Sequence, residues 1–353
     1  MKRNSAIDFI KGVAIIAMLI GHASPPAALG RFIYLWHMAV FFMASGFFFL
    51  PERVADFDGL VQFSKRRIVK LLLVAISWTL VMHLCHNGFA SFGLQGYDHW
   101  SATDFYHHLR WAFFLLQAPN PAFWFIKTLF MVSVSYAALS WLFSNIDKLF
   151  RRKGLYFKPR FEYASQGVLA IGMLLVSNRV HFPRVISMVV GGEVFFTAYA
   201  LFHLGRCVAL ISPLLERIRD SLCIRIAAAV ISLAILLAFT FSLDKFELAA
   251  NQYHSAFVML AASITGWVFL DALRYMIESS GGAILCVIIE CVGRHTMSIM
   301  LFHWLVFQVL LRLGFVASSG ICHCIVYSAV AVCVALILSA AWSKIVNIKL
   351  FRQ

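Results

Sequence analysis

The sequence predicts an all-α fold, a polytopic transmembrane helical bundle with about ten spans and both termini in the cytoplasm. Three observations predict it. Of 353 residues, 61% are hydrophobic and only 13% charged, with a mean hydropathy of +0.83, a balance that soluble domains of this length do not have. About ten apolar runs approach the ~20 residues that a span needs. Finally, the net charge of +14 is placed asymmetrically. With the N-terminus inside, most of the Lys and Arg fall on cytoplasmic segments, among them Lys65, Arg66, Arg67, Lys70, Lys148, Arg151, Arg152, Lys153 and Arg206. Arg31, Arg110, Arg179, Arg184, Lys245 and Arg312 fall outside. This is the positive-inside rule, so the basic character needs no nucleic-acid partner.

The spans read as 6–23, 32–50, 66–85, 122–144, 164–178, 191–212, 222–242, 255–274, 294–313 and 322–345. They leave no room for a separate soluble domain, so residues 1–353 form one transmembrane domain. The run 164–178 is short, and 283–293 is an extra apolar piece, so either can hide a broken or re-entrant helix. No internal repeat is visible. The first run carries Lys11 and leads straight into a second span, which argues against a cleaved signal peptide. The long segment His86–Pro121 is read as external, and Ser101-Ala102-Thr103-Asp104 within it marks a helix start. The residues that follow alternate aromatic and polar faces, as a surface helix does; it serves as an interfacial anchor, a lid or an acceptor platform. Most of the eight cysteines lie in apolar runs, where Cys is a small hydrophobe. Cys322-His323-Cys324 lacks the spacing of a metal site, and no metal is expected.

Charge inside a span is costly and marks function by default. In the first span, Asp8, Lys11, Ile15, Met18 and His22 share one helical stripe, with Lys11 and His22 about 16 Å apart along the axis. A stretched pantetheine arm has comparable length. A cytoplasmic acyl-CoA held near Lys11 could therefore present its thioester to an imidazole near the outer face. The competing structural reading pairs Lys11 with Asp8 at i, i+3 and leaves it snorkelling to the surface. The second span begins at the outer side and carries His37 about a turn and a half below the surface, at a depth close to that of His22, and one imidazole can act as general base while the other orients it or binds the acceptor. Arg66, Arg67 and Lys70 share a helical face suited to the phosphates of a donor. Trp124 and Lys127 are i, i+3 neighbours at the start of the fourth span and are candidates for substrate contact. Glu193, early in the sixth span, is a candidate partner for Lys127 or for a catalytic histidine. His203 and His303, both mid-span, read as satisfied core histidines.

These residues resemble a family. Asp8-Phe9-Ile10-Lys11-Gly12 with Gly21-His22 looks like the opening of the acyltransferase 3 family of integral membrane acyltransferases, which carries Arg or Lys, ten residues, then His. His37-Met38-Ala39-Val40-Phe41-Phe42 with Ser45-Gly46 resembles its His-Met-Pro-Leu-Phe-Phe…Ser-Gly block, as found in the fucose-4-O-acetylase-like branch, with Ala39 in place of Pro. Arg66 and Lys70 match the family's Arg-x-x-x-Arg with Lys at the second position. Phe123-Trp124-Phe125-Ile126, Tyr199 to Gly205, and Gly293-Arg294 with Ser298, Phe302 and His303 resemble later blocks in the same order. Membership implies transfer of an acyl group, commonly acetyl from acetyl-CoA, to a sugar hydroxyl of a surface glycan. It also implies residence in the inner (plasma) membrane. The partners expected are a glycan or lipid-linked sugar acceptor and membrane lipid; the sequence leaves room for a homo-oligomer. His22 is the expected base, assisted by His37 or Glu193, with Lys11, Arg66, Arg67 and Lys70 on the donor. Neither Ser nor Cys shows the signature of covalent catalysis, which favours direct transfer and leaves an acyl-His relay as the alternative. Two other classes compete: a proton-coupled transporter or exporter, and a non-catalytic partner of a glycan-assembly complex.

Overall fold

The computed structural model describes residues 4–92, 98–113, 123–154, 161–177, 192, 194–218, 221–243, 246–313 and 320–346, the side chains of 111–113, 214–218 and 341–346 excepted. Among them only one isolated bridge, Glu247–Gln252, is strand-like; the rest are helices and turns. Among the described residues eight helices are long and apolar enough to cross a membrane, and one bent pair adds a ninth where it counts as a single span.

The first helix, α1 (Ser5–His22), starts where Asn4 caps it by accepting from the Ile7 N–H. It packs on helices from both ends of the chain. Next, α2 (Ala27–Tyr34) and α3 (His37–Phe47) share one span, broken at Leu35–Trp36 where an unbroken span over 32–50 is expected. The third span joins α4 (Phe57–Arg67) to α5 (Val74–Ser91) through a π turn over Ile68–Leu73. Then come α6 (Ala102–Phe113), α7 (Phe123–Arg152), the short apolar α8 (Phe161–Val176), α9 (Val194–Ile218), α10 (Leu222–Ser242) and α11 (Ala256–Ser279). The expected broken helix is real: α12 (Ala283–Arg294) and α13 (Thr296–Arg312) meet at His295 with a bend of 79°. The last helix is α14 (Ile321–Val346).

Lipid removes the hydrophobic drive between helices, so close packing must come from small residues that let backbones touch. Two crossings do this. Gly46 of α3 lies on the Phe202 carbonyl of α9, and Gly205 of α9 lies on the Met43 carbonyl of α3. A methyl group built at either would overlap that oxygen. The second crossing sets Gly12 of α1 on the Ile289 carbonyl and Gly293 of α12 on the Asp8 carbonyl. All four glycines belong to the blocks that carried the family resemblance.

The surface helix α6 begins as expected. Ser101 N–H and Oγ both donate to Asp104 Oδ2, and the Asp104 N–H returns a bond to Ser101 Oγ. This is a capping box with Asp in the third position. Asn87 of α5 holds the preceding strand of chain, accepting from the Trp100 N–H at 2.8 Å and donating to its carbonyl at 2.9 Å. The Trp100 ring stacks on His86 at 3.7 Å and meets the His108 edge at 4.6 Å.

Replacing Gly205 with Ala should cost about 1–3 kcal/mol or more, because a carbonyl cannot step aside as a side chain does. Gly88→Ala, which meets nothing within 4 Å, should be neutral or gain up to ~1 kcal/mol of helix propensity. Thermal unfolding of both variants in nanodiscs measures the contrast. The docking of α6 should also be sensitive to pH. Burial lowers the His108 imidazole below its ordinary range, and the bonds from Ser101 lower the Asp104 carboxyl. A helix undocked and frayed at its start then binds more protons than the docked, capped one, so docking strengthens as pH rises and weakens as it falls. His108 acts first, as pH drops through the imidazole range near ~6.5, and Asp104 only at acid pH. Hydrogen exchange over 102–113, corrected for intrinsic rates, should be faster at pH ~5.5 than at pH ~7.5.

Candidate active site

His22 is the last residue of α1, and the turn after it is tight. Ala23 closes the helix through Leu19 and Ile20, and Ser24 takes φ of 57° just before Pro25-Pro26. A non-glycine residue rarely adopts that conformation, least of all before proline. The Cys324 thiol at the start of α14 donates to the Ala23 carbonyl at 3.2 Å and pins the turn. The His22 ring is accessible and makes no hydrogen bond among the described residues.

His22 does not stand alone. The ring of His303, from α13, stacks on it with centroids 5.4 Å apart and planes 26° apart. His37 and His303 both lie within electrostatic range of His22. His37 is 3% exposed; its Nδ1–H donates to the Ile33 carbonyl at 2.9 Å. Tyr34 meets the His37 ring edge-on at 5.1 Å and packs against Gly21. His303 is 2% exposed, and its Nδ1–H donates to the Met300 carbonyl at 2.7 Å. A carbonyl only accepts, so each bond places a proton on Nδ1 and leaves Nε2 of the neutral ring as an acceptor. In His303 that Nε2 is buried with no partner among the described residues. The reading of His303 as a satisfied core histidine is therefore corrected. His203 does fit it, with Nδ1 at 2.8 Å from the Tyr136 hydroxyl.

The stripe of α1 faces protein: Asp8, Ile15 and Met18 are buried, and Lys11 is half-buried. Lys11 Nζ pairs with Asp8 at 2.9 Å, the geometry of the competing structural reading. The basic patch flanks the π turn. Arg66 and Lys70 are exposed and Arg67 half-buried, with the Arg67 guanidinium 5.1 Å above the Phe63 ring. Lys70 lies within electrostatic range of both arginines. The π turn carries Lys70 one turn deeper than Arg66. From Lys70, Trp78 is about 12 Å further along the helix, and its ring meets Phe302, the neighbour of His303, at 4.4 Å. In α7, Phe125 packs on Phe41 and Phe42, which sets Trp124, half-buried, and Lys127, buried, beside α3. Glu193 lies outside the described residues.

A family model described as an acyltransferase domain matches residues 4–340. The chain belongs to the acyltransferase 3 family. No curated protein and no solved structure matches it. This acyltransferase is thus a multi-pass membrane protein whose family blocks divide between two jobs. The glycines set helix crossings, and the histidines of α1, α3 and α13 meet at one end of the bundle.

One buried pair corrects the sequence reading. Arg206, assigned to a cytoplasmic segment, is buried within α9 and pairs with Glu162 of α8 at 3.1 Å. Ser140 of α7 donates to the other Glu162 oxygen at 2.6 Å. The Arg206 guanidinium also lies 5.5 Å from the Phe49 ring, which packs on Phe63 beneath Arg67. Arg206→Ala should destabilise the acyltransferase by about 3–5 kcal/mol, since it strands a buried carboxylate, whereas the Arg206→Met, Glu162→Leu double variant should recover most of that loss. Unfolding of the purified variants checks both.

Proposed function

We propose that this acyltransferase moves an acyl group, in the first instance acetyl, from cytoplasmic acetyl-CoA to a sugar hydroxyl of a cell-envelope glycan, in the plasma membrane with both termini inside. The observation that carries the reading is the convergence of three imidazoles at one end of a bundle with a basic patch at the other. His22 is the base: it is accessible, unbonded, and at the end of α1 where an acceptor can enter. It takes the proton of the acceptor hydroxyl as that oxygen bonds to the acyl carbon. The carbon–sulfur bond then breaks, and the proton is returned to the thiolate of CoA. His37, held by Ile33, lies beside this centre with its Nε2 as an acceptor and stabilises the charge that His22 gains. Arg66, Arg67 and Lys70 hold the donor phosphates; Lys70, the deepest, leaves about 12 Å to the level of Trp78, within the reach of a pantetheine arm. Trp124 and Lys127 contact the acceptor beside α3. Lys11, tied to Asp8, acts through that pair as a fixed cation under the donor path.

A proton-coupled exporter would need its titratable groups linked along a path. His203, Glu162 and Arg206 instead cluster with Tyr136 and Ser140 around α8 and α9, apart from the histidines of α1, α3 and α13. Ion-coupled flux in liposomes without CoA would favour the exporter, and free CoA released from acetyl-CoA by the purified protein would favour the enzyme. His22→Ala should abolish the acyl mass increment on the surface polysaccharide while membrane abundance stays normal. Mass spectrometry of the glycan with and without the protein reads the result; an unchanged increment removes His22 from the mechanism.

A further inference from the structure

His303 has three features that a packing residue does not need together. Its Nδ1–H is spent on the Met300 carbonyl. Its ring is wedged between His22 on one side and the edge of Phe307, 5.9 Å away at 89°, and Phe307 is itself backed by Tyr327 at 5.7 Å. Its Nε2 is buried and has no hydrogen-bond partner among the described residues. A ring so fixed cannot turn its lone pair to a new partner, so the partner must come to it. An sp² lone pair binds a hydrogen-bond donor and rejects thioester carbonyl, phosphate and carboxylate oxygens. The donor must also sit within a ring's width of His22, since the two imidazoles stack at 5.4 Å. A sugar offers that pattern wherever two ring carbons in a row carry hydroxyls.

We propose that His303 is the acceptor-recognition residue of this enzyme: its Nε2 accepts a hydrogen bond from the hydroxyl next to the one His22 deprotonates, so the acceptor is a sugar with two neighbouring free hydroxyls. This rests on the acyl-transfer reading above and names its substrate class. The second hydroxyl keeps its proton throughout. It orients the sugar so that the reacting oxygen faces His22, and it satisfies the imidazole nitrogen of His303, which has no partner among the described residues. Sites built to bind a hydroxyl discriminate strongly against ligands that lack it, because the site's own polar group is left unpaired.

The test has two arms. Mass spectrometry and NMR of the acylated surface glycan locate the modified position; the carbon beside it should carry a free hydroxyl, and a modified position without one overturns the proposal. The protein in nanodiscs is then given acetyl-CoA with the methyl glycoside of that sugar, or with its analogue deoxygenated at the neighbouring carbon. The wild type should favour the diol by roughly 10- to 100-fold. His303→Leu should slow transfer to the diol and reduce the preference to about twofold or less, while His303→Asn, whose amide oxygen can still accept, should keep part of it. Equal use of the two glycosides by the wild type, or an undiminished preference in His303→Leu, overturns the proposal. Should His303→Leu not fold, the wild-type and Asn preferences decide alone. Failure of the wild type on both glycosides sinks the acyl-transfer reading itself, and the proposal with it.

Discussion

Everything at the site depends on two places where helix backbones touch. Carbonyl oxygens of α9 and α12 rest on Gly46 and Gly12, and those of α3 and α1 rest on Gly205 and Gly293. In a bilayer the alternatives are worse: lipid packs as well against leucine as another helix does, so only a close fit specifies which helices meet. Because each crossing is reciprocal, neither helix can slide without driving a carbonyl into a Cα. The α1–α12 crossing also fixes where α13 starts, since the chain bends by 79° just past Gly293. That bend aims α13 so that His303 arrives over His22, which is at the far end of α1. A glycine near residue 12 thus governs a contact near residue 22.

Backbone carbonyls do a second job. Ile33 and Met300 each take an Nδ1–H, and the same local bond therefore sets the tautomer of both buried imidazoles without spending a carboxylate. In a water-poor interior this is the cheaper solution, since a buried acid would need neutralising partners of its own. The bundle accepts that cost at Asp8–Lys11 and at Glu162–Arg206, where Ser140 completes the carboxylate. There the pair ties α7, α8 and α9 together, and its guanidinium faces the aromatic rings under Arg67.

Much of this was legible in the sequence because membrane physics is blunt. Apolar length marked the long spans, and the surplus run 283–293 marked the bent pair, whereas the break at Leu35–Trp36 inside the second span left no such mark. Ser101 with Asp104 gave the start of α6, and the spacing from Asp8 to His22 gave the inward face of α1. What escaped were facts about pairs of helices. His303 reads alone as a core histidine; only the α1–α13 contact shows that its second nitrogen has no partner. Arg206 was counted with loop cations by its neighbourhood, yet it stands inside an apolar run, where a charge needs an opposite one. Glu162, at the head of the short span, was the available carboxylate, and that pairing could have been found. The π turn at 68–73 had no such signal, and it moves Lys70 off the regular helical face on which Arg66 and Arg67 were placed with it.

The separation of the two polar ends follows from the same economy. Phe57, at the start of the basic helix, meets Trp141 of α7, while Phe125 of α7 meets α3 close to His37. Those two contacts lie about 24 Å apart along α7, most of a hydrocarbon core. In the proposed transfer between compartments, neither end alone suffices. The cations at one end can hold a phosphate but have no imidazole beside them, and the imidazoles at the other have lone pairs but no cluster of cations to hold an anionic donor. A flexible arm that spans part of this distance removes the need for either site to move, and a rigid bundle locked by glycine crossings can then serve both faces at once. The tight packing needed to hold helices together in lipid is therefore compatible with chemistry across it, provided the mobile part belongs to the substrate.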